Sequence, residues 1–182
     1  PRRQIFFLSR TVMQLEQIAN EMERLPHLGL KMCILGSRRK SCVNPSVKDT
    51  KHVDEQCRTL RTSTGGCKYE KNAKAVLEDF LPPVFTFKKL LSLGDKQHGC
   101  PYFMMDRVKK TSDIVFATYN YILDDTIRRE KGIDFSNAIL IVDEAHNIPD
   151  NVRESVSFKT TFGYAKAAME RIQKYRNQNT RK

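Results

Sequence analysis

Ala138-Ile139-Leu140-Ile141-Val142 runs without a break into Asp143-Glu144-Ala145-His146, and the reading of this stretch decides the fold. Five successive aliphatic residues between polar neighbours are the pattern of a strand buried on both faces of a parallel sheet. An acidic pair at the end of such a strand is where a nucleotide-hydrolysing protein holds Mg²⁺ and activates water. Asp143 is expected to position Mg²⁺ through its water shell, Glu144 to polarise the attacking water, and His146 to face the interface where nucleotide state is sensed. Adjacent residues at a strand end point differently, so one can serve the metal and the other the water. The usual companion is a phosphate-cradling loop, G-x-x-x-x-G-K-[ST]. It is absent, because the chain has eight glycines and none is followed by lysine.

Outward from the tetrad, the same strand–helix rhythm returns at both ends of the chain. Ile5 to Leu8 reads as a short buried strand. Ser9-Arg10-Thr11 opens a helix whose apolar positions Val12, Leu15, Ile18, Ala19, Met22 and Leu25 recur at helical spacing, with Pro26 as its stop. Leu30 to Leu35 reads as a second strand, Ile114 to Ala117 as a third, Tyr119 to Arg129 as a helix and Asn137 to Val142 as the last strand. Strands alternating with helices imply a parallel sheet with right-handed crossovers. Between Gly36 and about residue 105 the pattern changes. Residues 36–67 are polar and cannot build a core alone, 68–81 and Thr86 to Leu93 read as helices, and Cys100-Pro101 starts a third with proline at its first position. Phe162, Ala165, Ala168, Met169, Ile172 and Tyr175 form an apolar helical stripe expected to pack on a neighbour.

The 182 residues carry 32 Lys and Arg against 21 Asp and Glu, a net charge of +11. That balance points to a polyanionic partner, with a generally solvated basic surface as the alternative. The basic clusters at Arg38-Arg39-Lys40, Arg107 to Lys110 and Arg128 to Lys131 lie close to the motifs and favour nucleic acid, while Arg171 to Lys182 is expected to fray. No apolar run approaches the roughly 20 residues that cross a bilayer, so no membrane partner is expected. Pro1-Arg2-Arg3-Gln4 has no initiator Met and is read as the boundary of a fragment, not a signal peptide.

Cys42, Cys57, Cys67 and Cys100 are spaced C-x14-C-x9-C-x32-C. The lack of a C-x2-C pair argues against a zinc ribbon or knuckle. Four thiolates suit a soft centre, either an iron–sulfur cluster or tetrahedral zinc, and a polar loop of this length needs such a tie. Four unrelated structural cysteines remain the alternative. Cys33, inside a strand, reads as a core residue. His98 reads as flanking the cysteine site or as surface, and Tyr102 and Phe103 as packing residues, either of which could stack on a base.

Taken together, Ser9-Arg10-Thr11 with Gln14-Leu15, Leu35-Gly36-Ser37-Arg38 before Cys42, Cys100-Pro101-Tyr102-Phe103, Tyr119-Asn120-Tyr121-Ile122-Leu123-Asp124 and Asp143 to Asn147 resemble, in order, the motifs of the XPD/Rad3-like iron–sulfur DNA helicases. Asp124, Arg128 and Arg153-Glu154-Ser155 resemble the FANCJ-like and telomere-length-regulating branches more than XPD itself. The resemblance covers about residues 4–157. It implies an α/β fold: a partial RecA-like parallel sheet in residues 1–35 and 106–156, an inserted, mainly helical iron–sulfur domain in 36–105, and the start of an Arch domain in 157–182. It implies a [4Fe–4S] cluster on Cys42, Cys57, Cys67 and Cys100, with Cys33 not a ligand. ATP is the implied substrate, with Mg²⁺. DNA contacts are implied for Ser9, Arg10, Thr11, Arg38, Lys40 and Tyr102. The implied whole is an ATP-dependent 5′-to-3′ DNA helicase acting in the nucleus on single-stranded and forked DNA, alongside repair or transcription proteins. This stretch, without the phosphate loop, is expected to be inactive alone. The competing expectations are a non-enzymatic metal-containing nucleic-acid-binding module and a DEAH-class RNA helicase, which needs no cysteine insertion.

Overall fold

Four short apolar runs become four parallel strands. In this computed structural model residues 3–25, 28–157 and 160–179 are described; the expected helix stop at Pro26 lies outside them. Strands β1 (Gln4–Ser9), β2 (Met32–Ile34), β3 (Ile114–Thr118) and β4 (Ala138–Val142) form one sheet in the order β2-β3-β1-β4. Ile5 stands opposite Ile114 on one side and Ile139 on the other, and Phe7 opposite Phe116 and Ile141. All pairs are parallel, so every strand ends at the same edge of the sheet. Ligands of parallel sheets gather at that carboxyl edge.

Helix α1 (Val12–Glu23) packs Leu15 and Ala19, both wholly buried, against the sheet. Burying a leucine side chain contributes about 2 kcal/mol. Its start is a capping box: the Thr11 hydroxyl accepts from the Gln14 amide and Gln14 Oε1 accepts from the Thr11 amide. Between β2 and β3 lie five helices: α2 (Arg38–Ser41), α3 (Val53–Thr62), α4 (Lys68–Phe80), α5 (Phe87–Lys96) and α6 (Pro101–Val108). α3 stands where only a polar loop was expected; it buries a single residue, Val53, which is too weak a stripe to read from the sequence. The Glu16 carboxylate on α1 accepts from the Phe87 and Lys88 amides, so the framework caps the first turn of α5. The core is continuous from Phe6, Leu8 and Phe116 in the sheet to Val76, Leu90 and Met104 in these helices and Phe85 between α4 and α5.

Three expectations need correction. The apolar strand β4 is not buried: it forms an edge of the sheet, and Ile139, Leu140 and Ile141 are each 43% exposed, because among the described residues only β1 pairs with it. The helix expected from Tyr119 to Arg129 is two, α7 (Asn120–Leu123) and α8 (Asp125–Glu130), broken where the Asp124 carboxylate turns to cap the Thr126 and Ile127 amides. After α9 (Ile148–Val156), the last helix, α10 (Phe162–Asn179), keeps its helical form to Asn179 in the basic stretch expected to fray, whose residues 180–182 lie outside the described residues. Its stripe residues Phe162, Met169, Ile172 and Tyr175 are exposed instead of packed on a neighbour.

Candidate nucleotide, nucleic-acid and cysteine sites

Because β1 and β4 are neighbours in register, their ends meet. The Asp143 amide continues the ladder by donating to the Leu8 carbonyl at 2.8 Å. The Ser9 hydroxyl lies 2.9 Å from Gln14 Oε1 and 3.3 Å from the Asp143 carboxylate. Arg10 Nη1 donates to Asn147 Oδ1 at 3.4 Å. Tyr119 OH donates to the carbonyls of Asp143 and Glu144. Burial, with the charges of Asp143 and Glu144, pushes that phenol up, so it stays a donor at neutral pH. Glu144 itself has φ +50°, in the left-handed region. This turn aims its exposed carboxylate outward, 3.1 Å from His146 Nδ1. The arrangement separates the two acids: Asp143 is half-buried and fixed by Ser9, and Glu144 faces solvent beside an imidazole. The Tyr119 contact went unread in the sequence, since only the fold brings the end of β3 under the end of β4.

Beside this corner lies a groove of about 740 Å³. It is lined by Arg10 to Val12, by Ser37, Arg38, Lys40, Asp54 and Arg58 of the helical insertion, and by Asn120, Asp124, Glu130 and Glu154 from the stretch of α7, α8 and α9. Four of the residues expected at nucleic acid, Arg10, Thr11, Arg38 and Lys40, thus share one surface. Arg38 is 4.6 Å from the centre of the Tyr102 ring and 3.6 Å from Asp54, and its Nε is buried without a hydrogen-bond partner among the described residues. Two expected contacts stand differently. Ser9 is wholly buried, its hydroxyl committed to Gln14 and Asp143, so it positions the acid and offers nothing to a backbone phosphate. Tyr102 reaches the groove but is 9% exposed, with Arg38 and the Lys131 ammonium, 3.4 Å away, both against its ring; it supports Arg38 and has no free face for a base.

Two basic clusters also change character. Lys109 and Lys131 are buried, and both ammonium groups reach the Asp106 carboxylate, at 3.2 and 3.3 Å. Desolvation pushes that carboxyl up, but the charges of Lys131 and Lys109 outweigh it and hold it below its ordinary value. These lysines therefore tie α6 to the loop after α8.

Cys42, Cys57, Cys67 and Cys100 all line one small cavity of about 20 Å³, with Val47, Leu60 and Phe103 among its apolar walls. Cys67 and Cys100 are the N-caps of α4 and α6. Asn44 Nδ2 donates to Cys67 Sγ at 3.6 Å. Burial pushes the thiol of Cys100 up to about 12, against backbone amides of Phe103 and Tyr102 that pull it down. Burial likewise raises Cys42 and Cys57; the Asn44 amide opposes this at Cys42, and Arg38 and Arg61 oppose it at Cys57. No three His, Cys, Asp or Glu side chains among the described residues are close enough to hold a single metal ion. The donor set is nonetheless four soft ligands from four chain segments around one dry space, which fits a thiolate-held centre. Cys33 is buried in β2 with its thiol 3.5 Å from the Met105 carbonyl, and does not line this cavity. His98 is exposed and flanks the cavity through Tyr69, whose hydroxyl is 3.2 Å from Nδ1.

The sequence profile of the DEAD_2 family matches residues 7–163. The regulator of telomere elongation helicase 1 of Homo sapiens is 34% identical over 161 residues, which cover 86% of this chain and 13% of that protein. The Fanconi anemia group J protein homolog of Gallus gallus is 35% identical over 187 residues, covering 97% of this chain and 15% of that one. The chain thus spans about a seventh of the curated relatives it matches. Among solved structures, a truncated XPD superposes with a TM-score of 0.60 at 22% identity, over 84% of this chain and 43% of the other.

Proposed function

The chain belongs to the DEAD_2 family of XPD/Rad3-like helicases, and from that membership we propose that the whole protein is an ATP-dependent DNA helicase that moves 5′ to 3′ on a single strand in genome maintenance in the nucleus. The observation that carries this reading is the contact between the ends of β1 and β4. Ser9 holds the Asp143 carboxylate while the next two residues, Arg10 and Thr11, open into the groove. The residue that holds the acid and the residues placed to grip a polyanion are therefore adjacent in the chain. Mg²⁺ held through Asp143 would supply charge neutralisation at the phosphates. Glu144, with no backbone restraint on its carboxylate, is placed to orient water, and His146 to adjust it.

The insertion formed by residues 36–105 is the iron–sulfur domain in this reading, with Cys42, Cys57, Cys67 and Cys100 as ligands. A [4Fe–4S] cluster would supply cross-links between α2, α3, α4 and α6, whose own core is thin. Residues 157–182 begin the Arch domain. Single-stranded and forked DNA are the nucleic-acid partners, with repair or transcription proteins beside them. The test is ATP hydrolysis by the whole protein with and without single-stranded DNA, and strand displacement on a fork with a 5′ tail. Strong stimulation with unwinding is the expected result. Tight DNA binding with no hydrolysis would leave the non-enzymatic binding module instead.

A further inference from the structure

We infer that Glu130 and Glu154 form an acidic wall that makes the groove selective for one nucleic-acid strand over a duplex. This rests on the nucleic-acid reading above and adds to it the means of discrimination. The groove is not uniformly basic. The insertion contributes Arg38, Lys40 and Arg58 to its lining, with Asp54 paired to Arg38, and the framework contributes Asp124, Glu130 and Glu154 beside Arg10. Asp124 is committed to capping α8, but Glu130 and Glu154 are exposed and have no ion-pair partner among the described residues. Lys131, next to Glu130 in the chain, is buried against Tyr102 and Asp106 and does not neutralise the wall.

A single strand suits this polarity. Its phosphates can follow the cations that the insertion contributes, Arg38, Lys40 and Arg58, and its base edges then face carboxylates that accept from exocyclic amino groups. A duplex carries phosphates on both flanks, so one strand must face the carboxylates, and like-charge juxtaposition is costly. The groove therefore both orients the strand and rejects its complement.

The test uses the 182-residue chain and a labelled oligonucleotide, single-stranded or as a blunt duplex of the same sequence, read by fluorescence anisotropy at fixed salt. The variants are Glu130→Gln with Glu154→Gln, and Glu130→Lys with Glu154→Lys. All four changes are on exposed helical positions, and a circular dichroism melt checks folding. The preference for the single strand should fall by on the order of tenfold in the lysine pair, with the glutamine pair between. Duplex affinity should gain more than single-strand affinity. A parallel gain for both oligonucleotides, or an unchanged ratio, overturns the acidic wall. Failure of the unaltered chain to bind either oligonucleotide instead overturns the nucleic-acid reading beneath it.

Discussion

The two edges of one sheet meet opposite fates. At the β2 edge, Met32, Cys33 and Ile34 are at most 1% exposed, because α6 packs over them and the Met32 amide bonds to the Pro83 carbonyl. At the β4 edge, the equally apolar Ile139, Leu140 and Ile141 stay 43% exposed. The covered edge supports the helices that gather the cysteines, and the open edge ends in the acidic tetrad. Stability is thus concentrated at one side of the sheet and the proposed chemistry at the other. A change at the open corner should alter turnover with little effect on folding, and a change behind the covered edge should do the reverse.

The largest expected effect tests the open corner. Glu144→Gln in the whole protein removes the group placed to orient water and should lower ATP turnover by on the order of 10²- to 10⁴-fold. Nucleotide binding and the melting midpoint should hold. Turnover within a few-fold of the parent would take Glu144 out of this role, and a large drop in stability would break the contrast between the edges.

Next comes the cysteine cavity behind the covered edge. Cys100→Ser should abolish bound iron and acid-labile sulfide and raise amide exchange throughout α2 to α6, while β1 and β3 stay protected. Cys33→Ser is the control: it buries a hydroxyl in β2 and should cost about 1–3 kcal/mol without changing iron content. Retained iron in the first variant would remove Cys100 from the ligand set. One zinc and no iron in the unaltered chain would replace the cluster by the zinc centre.

How far each edge was readable follows from where its information lies. The strands, the opening of α1 after Ser9-Arg10-Thr11, and the proline-led start of α6 are local signals, and they were legible. The tetrad was legible as a motif, yet exposure of β4 depends on what lies beside it, which no window of sequence contains. The cysteines showed their number but not their convergence, because their spacing has no short pair and α3 has almost no apolar face. Lys109 and Lys131 misled for the same reason: as sequence they are members of basic runs, and only the fold turns them inward onto Asp106. Tyr119 was visible inside a motif without a role, since its partners are 24 and 25 residues away.

Asp106 offers a smaller effect, of a kind the open corner lacks. Asp106→Asn leaves Lys109 and Lys131 without their counter-charge and should cost on the order of 2 kcal/mol, because the lysines are buried although the carboxylate is partly exposed. The carboxyl is held below its ordinary value in the folded chain. Its stabilising contribution is therefore present above the unfolded-state value, and is lost as pH falls through the folded one. A thermal melt below about pH 4 should thus drop more steeply in the parent than in Asp106→Asn. Parallel acid profiles would show that the three-residue cluster adds nothing beyond packing.

The smallest effect separates the edges most sharply, because it should have the opposite sign. Glu144 occupies the left-handed region at φ +50° and ψ +46°, which costs a non-glycine residue roughly 1 kcal/mol or more. Two hydrogen bonds from Tyr119 hold the turn in place. Glycine accepts this backbone without strain but loosens the unfolded chain, so Glu144→Gly should gain at most about 1 kcal/mol, a rise of roughly 2–4 °C in the melting midpoint. The same variant should lose turnover as completely as Glu144→Gln. A chain that becomes more stable as it loses its chemistry is what a strained catalytic turn on an uncovered edge requires. A fall in midpoint would mean that the Glu144 side chain, through His146, stabilises the corner it was taken to strain.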